Sequence, residues 1–334
     1  MSDVRVLAAP DKFRGTASAA EIAAAVAEAA AAVTASCDTA PMADGGEGTL
    51  DALGGPTRTS VVTGPLGEPV AAPWRLSRGV AVIEMALASG LALAGGASGN
   101  DPVNATTAGT GELIAEAVSA GARRVLVAVG GSATTDGGLP AVRALPSPAR
   151  MSGVEMIVAC DVRTAFVDAA AVFGPQKGAS PAQVELLTRR LRTLTEMYER
   201  DFGVDVAALP GAGAAGGLAG GLAARGASLV GGFEVVADEI GLRERIADAD
   251  VAVTGEGRYD ATSLEGKVVT GVAELAARSG TRVLAVVGSR DPTAPVPENV
   301  ELVDLTARFG SQRAHADPCG CVREAVEVAL RGDP

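Results

Sequence analysis

The feature that most constrains this chain is a repeated pairing of a short apolar run with a glycine-rich turn. Val4–Pro10, Asp250–Thr254, Val283–Val287 and Glu301–Leu305 read as short buried strands, and a further segment around Thr39–Met42 runs into Ala43-Asp44-Gly45-Gly46-Glu47-Gly48. Apolar runs of this length, bounded by turn residues and alternating with helical patterns, indicate parallel strands joined by crossover helices. The alanine-rich stretch from Ser18 to about Thr34 is one such helix, with Thr16 or Ser18 placed to cap it, and a final helix covers residues 322–330.

The middle of the chain has a different texture. Segments 59–64, 69–76 and 80–85 are separated by turn signals at Gly64-Pro65-Leu66-Gly67 and Ser77-Arg78-Gly79, which predicts a small antiparallel meander. A helix over 107–120 and strands at 124–129 and 154–160 follow. With 334 residues the length suggests two domains. The expected architecture is α/β: a flavodoxin-like or Rossmann-like parallel-sheet domain from residues 1–58 and 232–334, and a second α/β domain inserted at 59–231. The active site is expected in the cleft between them. Segment 207–227, rich in glycine and alanine, reads as a hinge or a ligand loop.

Composition removes several function classes. Hydrophobic residues make up 48% and charged residues 20%, with a mean hydropathy of +0.27, so the chain is not a disordered polyelectrolyte. Twenty-eight basic against 40 acidic residues give a net charge of −12, which argues against nucleic-acid or anionic-membrane partners drawn by bulk charge. Any anion has to be bound locally. Four scattered cysteines, Cys37, Cys160, Cys319 and Cys321, suit a reducing compartment better than a disulfide scaffold. The opening Met1-Ser2-Asp3 lacks a basic leader, and no apolar run reaches the roughly 18 to 20 residues of a membrane span, so the expected location is the cytoplasm. The lone histidine, His315, excludes motifs that need two.

Three acid-bearing, glycine-rich stretches carry the chemistry: Asp44-Gly45-Gly46-Glu47-Gly48, the loop Gly130-Gly131-Ser132-Ala133-Thr134-Thr135-Asp136-Gly137-Gly138, and Gly255-Glu256-Gly257-Arg258-Tyr259-Asp260. Glycine lets backbone approach a phosphate closely, N–H groups at a helix start bind anions, and adjacent carboxylates can hold Mg²⁺. Together these point to phosphoryl transfer. Lys12, Arg14, Lys177, Arg258 and Lys267 stand in turn-like contexts as cations for carboxylate or phosphate. Gly211-Ala212-Gly213-Ala214-Ala215-Gly216 fits the dinucleotide pattern literally, with Glu234 downstream, but Ala207-Ala208-Leu209-Pro210 before it is a poor strand. His315-Ala316-Asp317-Pro318-Cys319-Gly320-Cys321 lacks a second pair of metal ligands, and no Walker A pattern occurs.

Taken together, the motifs resemble the bacterial type I glycerate kinase family. The matching residues are Ala9-Pro10-Asp11-Lys12-Phe13-Arg14-Gly15, Pro41 to Thr49, Thr107 to Ile114, Gly130 to Gly138, Cys160-Asp161-Val162, Val172 to Ala179, Pro210 to Leu218, and Thr254 to Asp260 with Gly266-Lys267. The resemblance covers nearly the whole chain in order. It implies phosphorylation of D-glycerate to a phosphoglycerate, 2-phosphoglycerate favoured over 3-phosphoglycerate, with ATP and Mg²⁺ as cofactors, and a homodimer as a candidate assembly. In that frame Asp44, Lys12, Asp161 and Asp136 are the catalytic candidates, with Asp44, Asp136 and Asp161 for the metal. Arg14, Lys177, Arg258 and Glu47 fall to the substrate. Gly45, Gly46, Gly130, Gly131, Ser132, Gly213, Gly255, Glu256 and Gly257 fall to the nucleotide.

The chain departs from the family pattern at Arg14 (usually lysine), Thr135 (usually asparagine) and Thr262 (usually glutamine). Arg163-Thr164-Ala165-Phe166 replaces an Asn-Pro-Leu stretch, and the segment between Gly138 and Val154 is short. These departures motivate two rival readings: a kinase of another small hydroxy acid, and a non-catalytic ligand-binding homologue.

Overall fold

The computed structural model describes residues 4–264 and 267–332. Met1-Ser2-Asp3 and Gly266, which the sequence reading drew on, lie outside the described residues. The chain divides into two compact units, one formed by Met1–Asp44 with Gly232–Pro334 and the other by Gly45–Gly231. The first boundary therefore falls at residue 44 rather than 58. Its cause is local: the short helix Thr49–Ala52 is tied into the second unit, where the Leu50 N–H donates to the Glu84 carboxylate at 2.6 Å.

The first unit holds a five-stranded parallel sheet. Its strands are β1 (Arg5–Ala8), β2 (Ser36–Thr39), β9 (Val251–Tyr259), β10 (Arg282–Arg290) and β11 (Val300–Asp304), in the order β11-β10-β9-β1-β2. This is the flavodoxin-like order, in which the chain leaves β1 in one direction for β2 and later returns on its other side for β9. The helix Ala19–Ala32 starts at a capping box between Ser18 and Glu21 and buries Ile22, Ala23, Val26, Ala29 and Ala30. They join Cys321, Val322, Ala325 and Val326 of the helix Pro318–Arg331 in one apolar core under the sheet.

Two strand expectations needed revision. β2 ends at Thr39, before the segment predicted around 39–42. More consequentially, Gly255-Glu256-Gly257 is not a turn: β9 continues to Tyr259 and stays paired with β10, Glu256 opposite Val287 and Arg258 opposite Ser289. Glycine serves close packing there. A Cβ on Gly255 would lie 2.0 Å from the Val286 carbonyl oxygen.

The second unit has a six-stranded sheet formed by β3 (Arg58–Thr63), β4 (Pro69–Ser77), β5 (Val80–Glu84), β6 (Arg124–Ala128), β7 (Glu155–Ala159) and β8 (Ser228–Val230), in sequence order. The predicted meander is the antiparallel run β3-β4-β5, after which β5 to β8 pair in parallel. Trp74, Ile83, Leu113, Ile114 and Val127 fill its core. The helix Pro181–Phe202, capped by Ser180 and Gln183, turns Leu187, Leu191 and Tyr198 inward onto Phe166.

Segment 207–227 is neither hinge nor open loop. It forms a tight turn at Ala214–Gly217 and a wholly buried helix at Leu218–Ala224. No strand precedes Gly211, and a Cβ on Gly213 would sit 2.4 Å from the Ala165 carbonyl oxygen. The dinucleotide spacing is thus a packing pattern, and the expectation that Gly213 touches a nucleotide gives way to backbone contact. Among the described residues no helix is long and apolar enough to cross a membrane.

Candidate active site

In an open parallel sheet, ligands bind beyond the carboxyl ends of the strands, at the point where strand order reverses. In the first unit that point is the β1/β9 pair, and a cavity of about 680 Å³ opens there. The segment after β1 is stitched to β9 by the Ala9 N–H on Val253 O (2.7 Å), the Asp11 N–H on Gly255 O (2.8 Å) and Thr254 Oγ1 on Ala9 O (2.9 Å). Phe13 is buried in the core below. With Phe13 anchored, Lys12 and Arg14 on either side line the cavity, together with Asp11, Asp44, Glu256, Arg258, Asp260 and Lys267.

Charges of both signs are interleaved here. Lys12 Nζ stands 3.5 Å from Asp44 Oδ1 and 3.8 Å from Asp11 Oδ1. Burial, reinforced by the Asp44 charge and offset by Lys12, pushes the Asp11 carboxyl up to about 6. Burial likewise pushes Glu256 up to about 7, against the opposing pull of the nearby Ser263 hydroxyl and the Lys267 charge. Asp260 goes the other way, because Oδ1 accepts from the Thr262 N–H and hydroxyl. Lys267 Nζ donates to Thr262 Oγ1 at 2.9 Å, which holds its ammonium at the rim.

The sequence-predicted site residues separate by unit. Lys12, Arg14, Asp44, Glu256, Gly257 and Arg258 line this one cavity, with Gly255 beneath them in β9. Gly45, Gly46, Glu47, Gly130, Gly131, Ser132, Asp136, Asp161, Lys177 and Gly213 belong to the second unit. There the two glycine-rich loops touch: a Cβ on Gly130 would lie 2.7 Å from Gly46 Cα, and one on Gly131 2.7 Å from Glu47 Oε1. Asp161 follows β7 at its carboxyl end.

Lys177 and Asp136 stand otherwise than expected. Lys177 is 2% exposed and donates from Nζ to Ser132 Oγ at 2.8 Å and Thr134 O at 2.6 Å, so it pins the 130–138 loop from inside rather than offering an open anion clamp. Burial brings its pKa down to about 7. Asp136 accepts from the Thr107 N–H and hydroxyl through Oδ2 and from the Gly138 N–H through Oδ1, so donors of its own unit engage both oxygens. Desolvation raises its pKa in spite of these bonds.

Sequence reasoning quoted Asp11 without giving it a role, and it did not single out Ser289, Thr306 or Ser311, which also line the cavity. The usable signal for Asp11 was its position just past the carboxyl end of an interior parallel strand. Ser289 and Thr306 carry a similar signal, just past the strands expected at Val283–Val287 and Glu301–Leu305, whereas none marks Ser311.

A flavodoxin-like sheet whose switch-point crevice sets carboxylates among lysine and arginine defines the class of ligand-binding α/β proteins. Comparison with known proteins narrows that class. The model of the glycerate kinase family matches residues 6–147 and 146–314. Similar proteins include the glycerate 2-kinase of Escherichia coli strain K12, 38% identical with 86% of this chain and 85% of that one covered, and the glycerate kinase of Bacillus subtilis strain 168, 36% identical with 89% of each covered. A crystal structure of a protein assigned as glycerate kinase 2 from Salmonella typhimurium LT2 superposes with a TM-score of 0.84 at 34% identity, covering 99% of both chains. The chain belongs to the glycerate kinase family and is a phosphotransferase enzyme.

Proposed function

We propose that this enzyme transfers the γ-phosphoryl group of ATP to D-glycerate in a Mg²⁺-dependent reaction, with the 2-hydroxyl as acceptor. The observation that carries this reading is the β1/β9 cavity, where Lys12, Arg14, Arg258 and Lys267 surround the carboxylates of Asp11, Asp44 and Glu256. Phosphoryl transfer needs little covalent help from a protein; it needs positioning and neutralisation of phosphate charge. The four cations supply the latter for triphosphate and glycerate carboxylate. The likeness to the Escherichia coli glycerate 2-kinase supports the 2-hydroxyl over the 3-hydroxyl.

The donor set fits Mg²⁺. It is all oxygen, which suits a hard cation, and among the described residues no three His, Cys, Asp or Glu side chains gather to hold a metal by themselves. Mg²⁺ characteristically takes one or two carboxylates and completes its shell with water and substrate phosphates. Asp44, at the cavity wall beside Lys12, is the residue that would hold it. Bound there, the ion would neutralise charge on the β- and γ-phosphates. Lys177 acts at one remove in this reading, fixing the 130–138 loop from within. An ATP-consuming enzyme of this kind belongs in the cytoplasm.

The test is ADP release by purified protein with D-glycerate, L-glycerate and a panel of other small hydroxy acids, with and without Mg²⁺. D-Glycerate is expected to give the highest kcat/KM, and omission of Mg²⁺ to abolish turnover. Preference for another hydroxy acid, or Mg²⁺-independent turnover, would overturn the corresponding part of the proposal.

A further inference from the structure

The carboxylates of the cavity differ in what their oxygens hold. Asp11 Oδ1 accepts from the Lys12 N–H at 2.7 Å and lies 3.8 Å from its ammonium. Asp44 pairs with the same ammonium. Asp260 accepts from Thr262 and stands 3.6 Å from Arg258 Nε. Glu256, 8% exposed, is the exception: its Oε1 is buried and has no hydrogen-bond partner. A buried carboxylate oxygen without a donor is costly and rare in folded proteins, so this side chain is poorly satisfied as an anion and gains by taking up a proton. Glu256 lines the cavity, where a hydroxyl of a bound substrate can supply that proton.

We propose that Glu256 is the general base, its carboxylate taking the proton of the acceptor hydroxyl; this rests on the kinase reading above. The hydroxyl proton passes to Glu256 as the substrate oxygen bonds to the γ-phosphorus. The bond from that phosphorus to the β,γ-bridging oxygen breaks, ADP leaves with the electron pair, and Glu256 later returns its proton to solvent. Position supports the role. Glu256 lies on β9 near the switch point, paired with Val287 of β10 and next to Gly255, whose carbonyl accepts the Asp11 N–H, so its carboxylate is carried by strand backbone rather than by a loop.

The surroundings tune it for the task. Asp11 and Lys12 come from the segment after β1, and Lys267 from the residue before the helix Val268–Ser279. Arg258, Tyr259, Asp260 and Ser263 come from its own strand and the following turn, and Val287 is the neighbour on β10. Burial, Asp11 and Asp260 raise its pKa, while Ser263 and Lys267 restrain the rise, leaving it at about 7. A base is most effective when its pKa lies near the working pH. Asp11, pushed up to about 6, is the competing titratable group in the same lining, and His315 stands exposed on the helix Ser311–Ala316.

The experiment is the pH profile of kcat and kcat/KM for wild type, Glu256→Gln, Glu256→Asp, Asp11→Asn and His315→Asn, with circular dichroism confirming folding. Wild type is expected to lose activity on the acid side with a midpoint at about 7. Glu256→Gln should lower kcat by roughly 10²- to 10⁴-fold and abolish the acid limb while moving the glycerate KM by less than about threefold. Glu256→Asp should recover part of kcat and restore a limb. Asp11→Asn should shift the limb to lower pH, because the Asp11 charge raises Glu256. An unchanged kcat or limb in Glu256→Gln overturns the proposal and leaves the kinase reading intact, as does loss of the limb in Asp11→Asn or His315→Asn alone. No glycerate-dependent ADP from folded wild type at any pH would overturn both.

Discussion

Replacing Glu256 by glutamine has a stability signature that is separate from catalysis. The Glu256 carboxyl titrates at about 7 in the folded protein against 4.5 for an ordinary glutamate, a difference of 7 − 4.5, or about 2.5 units. At about 1.4 kcal/mol per unit, this amounts to about 3 kcal/mol. Its 8% exposure leaves little solvent to screen the effect. The sign follows from the direction of the shift. Below about pH 4.5 the group is protonated in both folded and unfolded chains and its contribution is fully present; as pH rises through about 7 the folded protein must hold a buried charge, and that contribution is lost. Glutamine keeps the shape without the charge. The unfolding free energy of Glu256→Gln minus that of wild type should therefore be near zero at about pH 4.5 and climb to between about 1 and 3 kcal/mol at about pH 8. Urea melts across this range measure it. A difference that stays flat with pH, or falls, refutes the burial argument.

Four further substitutions separate chemistry from packing. Lys12→Met removes a clamp whose ion pairs are partly exposed, so thermal stability should change by less than about 1 kcal/mol while kcat/KM falls roughly 10²-fold in the ADP assay. Gly216→Ala should lower the melting temperature sharply or prevent folding, because Gly216 has φ +66° and a Cβ there would lie 2.0 Å from the Thr134 carbonyl oxygen. Tyr198→Phe, which deletes the 2.9 Å bond from the phenol to Gly137 O, should cost about 1 to 3 kcal/mol in a urea melt. Lys177→Met should weaken the pH dependence of stability above neutrality. With the folded pKa lowered to about 7 from 10.5, wild type gains stability from Lys177 as pH rises across that window, and the variant should not.

The sheet architecture was legible because buried parallel strands leave continuous apolar runs, and both blocks of strands are visible in the sequence. The meander was legible because its turns are spelled out by Gly64-Pro65-Leu66-Gly67 and Ser77-Arg78-Gly79. Glycine misled wherever it meant contact instead of turn. Gly255 and Gly257 lie inside β9, and Gly211, Gly213 and Gly216 press against neighbouring backbone, yet each reads as a loop signal in one dimension. The unit boundary was missed because the bond from Leu50 to Glu84 spans 34 residues that no local pattern connects. Site residues were legible by type but not by state. Lys177 and Lys12 look alike in sequence, while one is buried on Ser132 and Thr134 and the other lines the cavity. The unpartnered Oε1 of Glu256 is a property of packing and leaves no trace in the chain's text.

Phosphorus NMR of the purified enzyme with ATP, Mg²⁺ and D-glycerate tests the central claim most directly, because the product resonance reports turnover and the modified hydroxyl together. The account predicts accumulation of 2-phosphoglycerate with stoichiometric ADP. A folded, ATP-binding sample that forms no phosphoglycerate would contradict it.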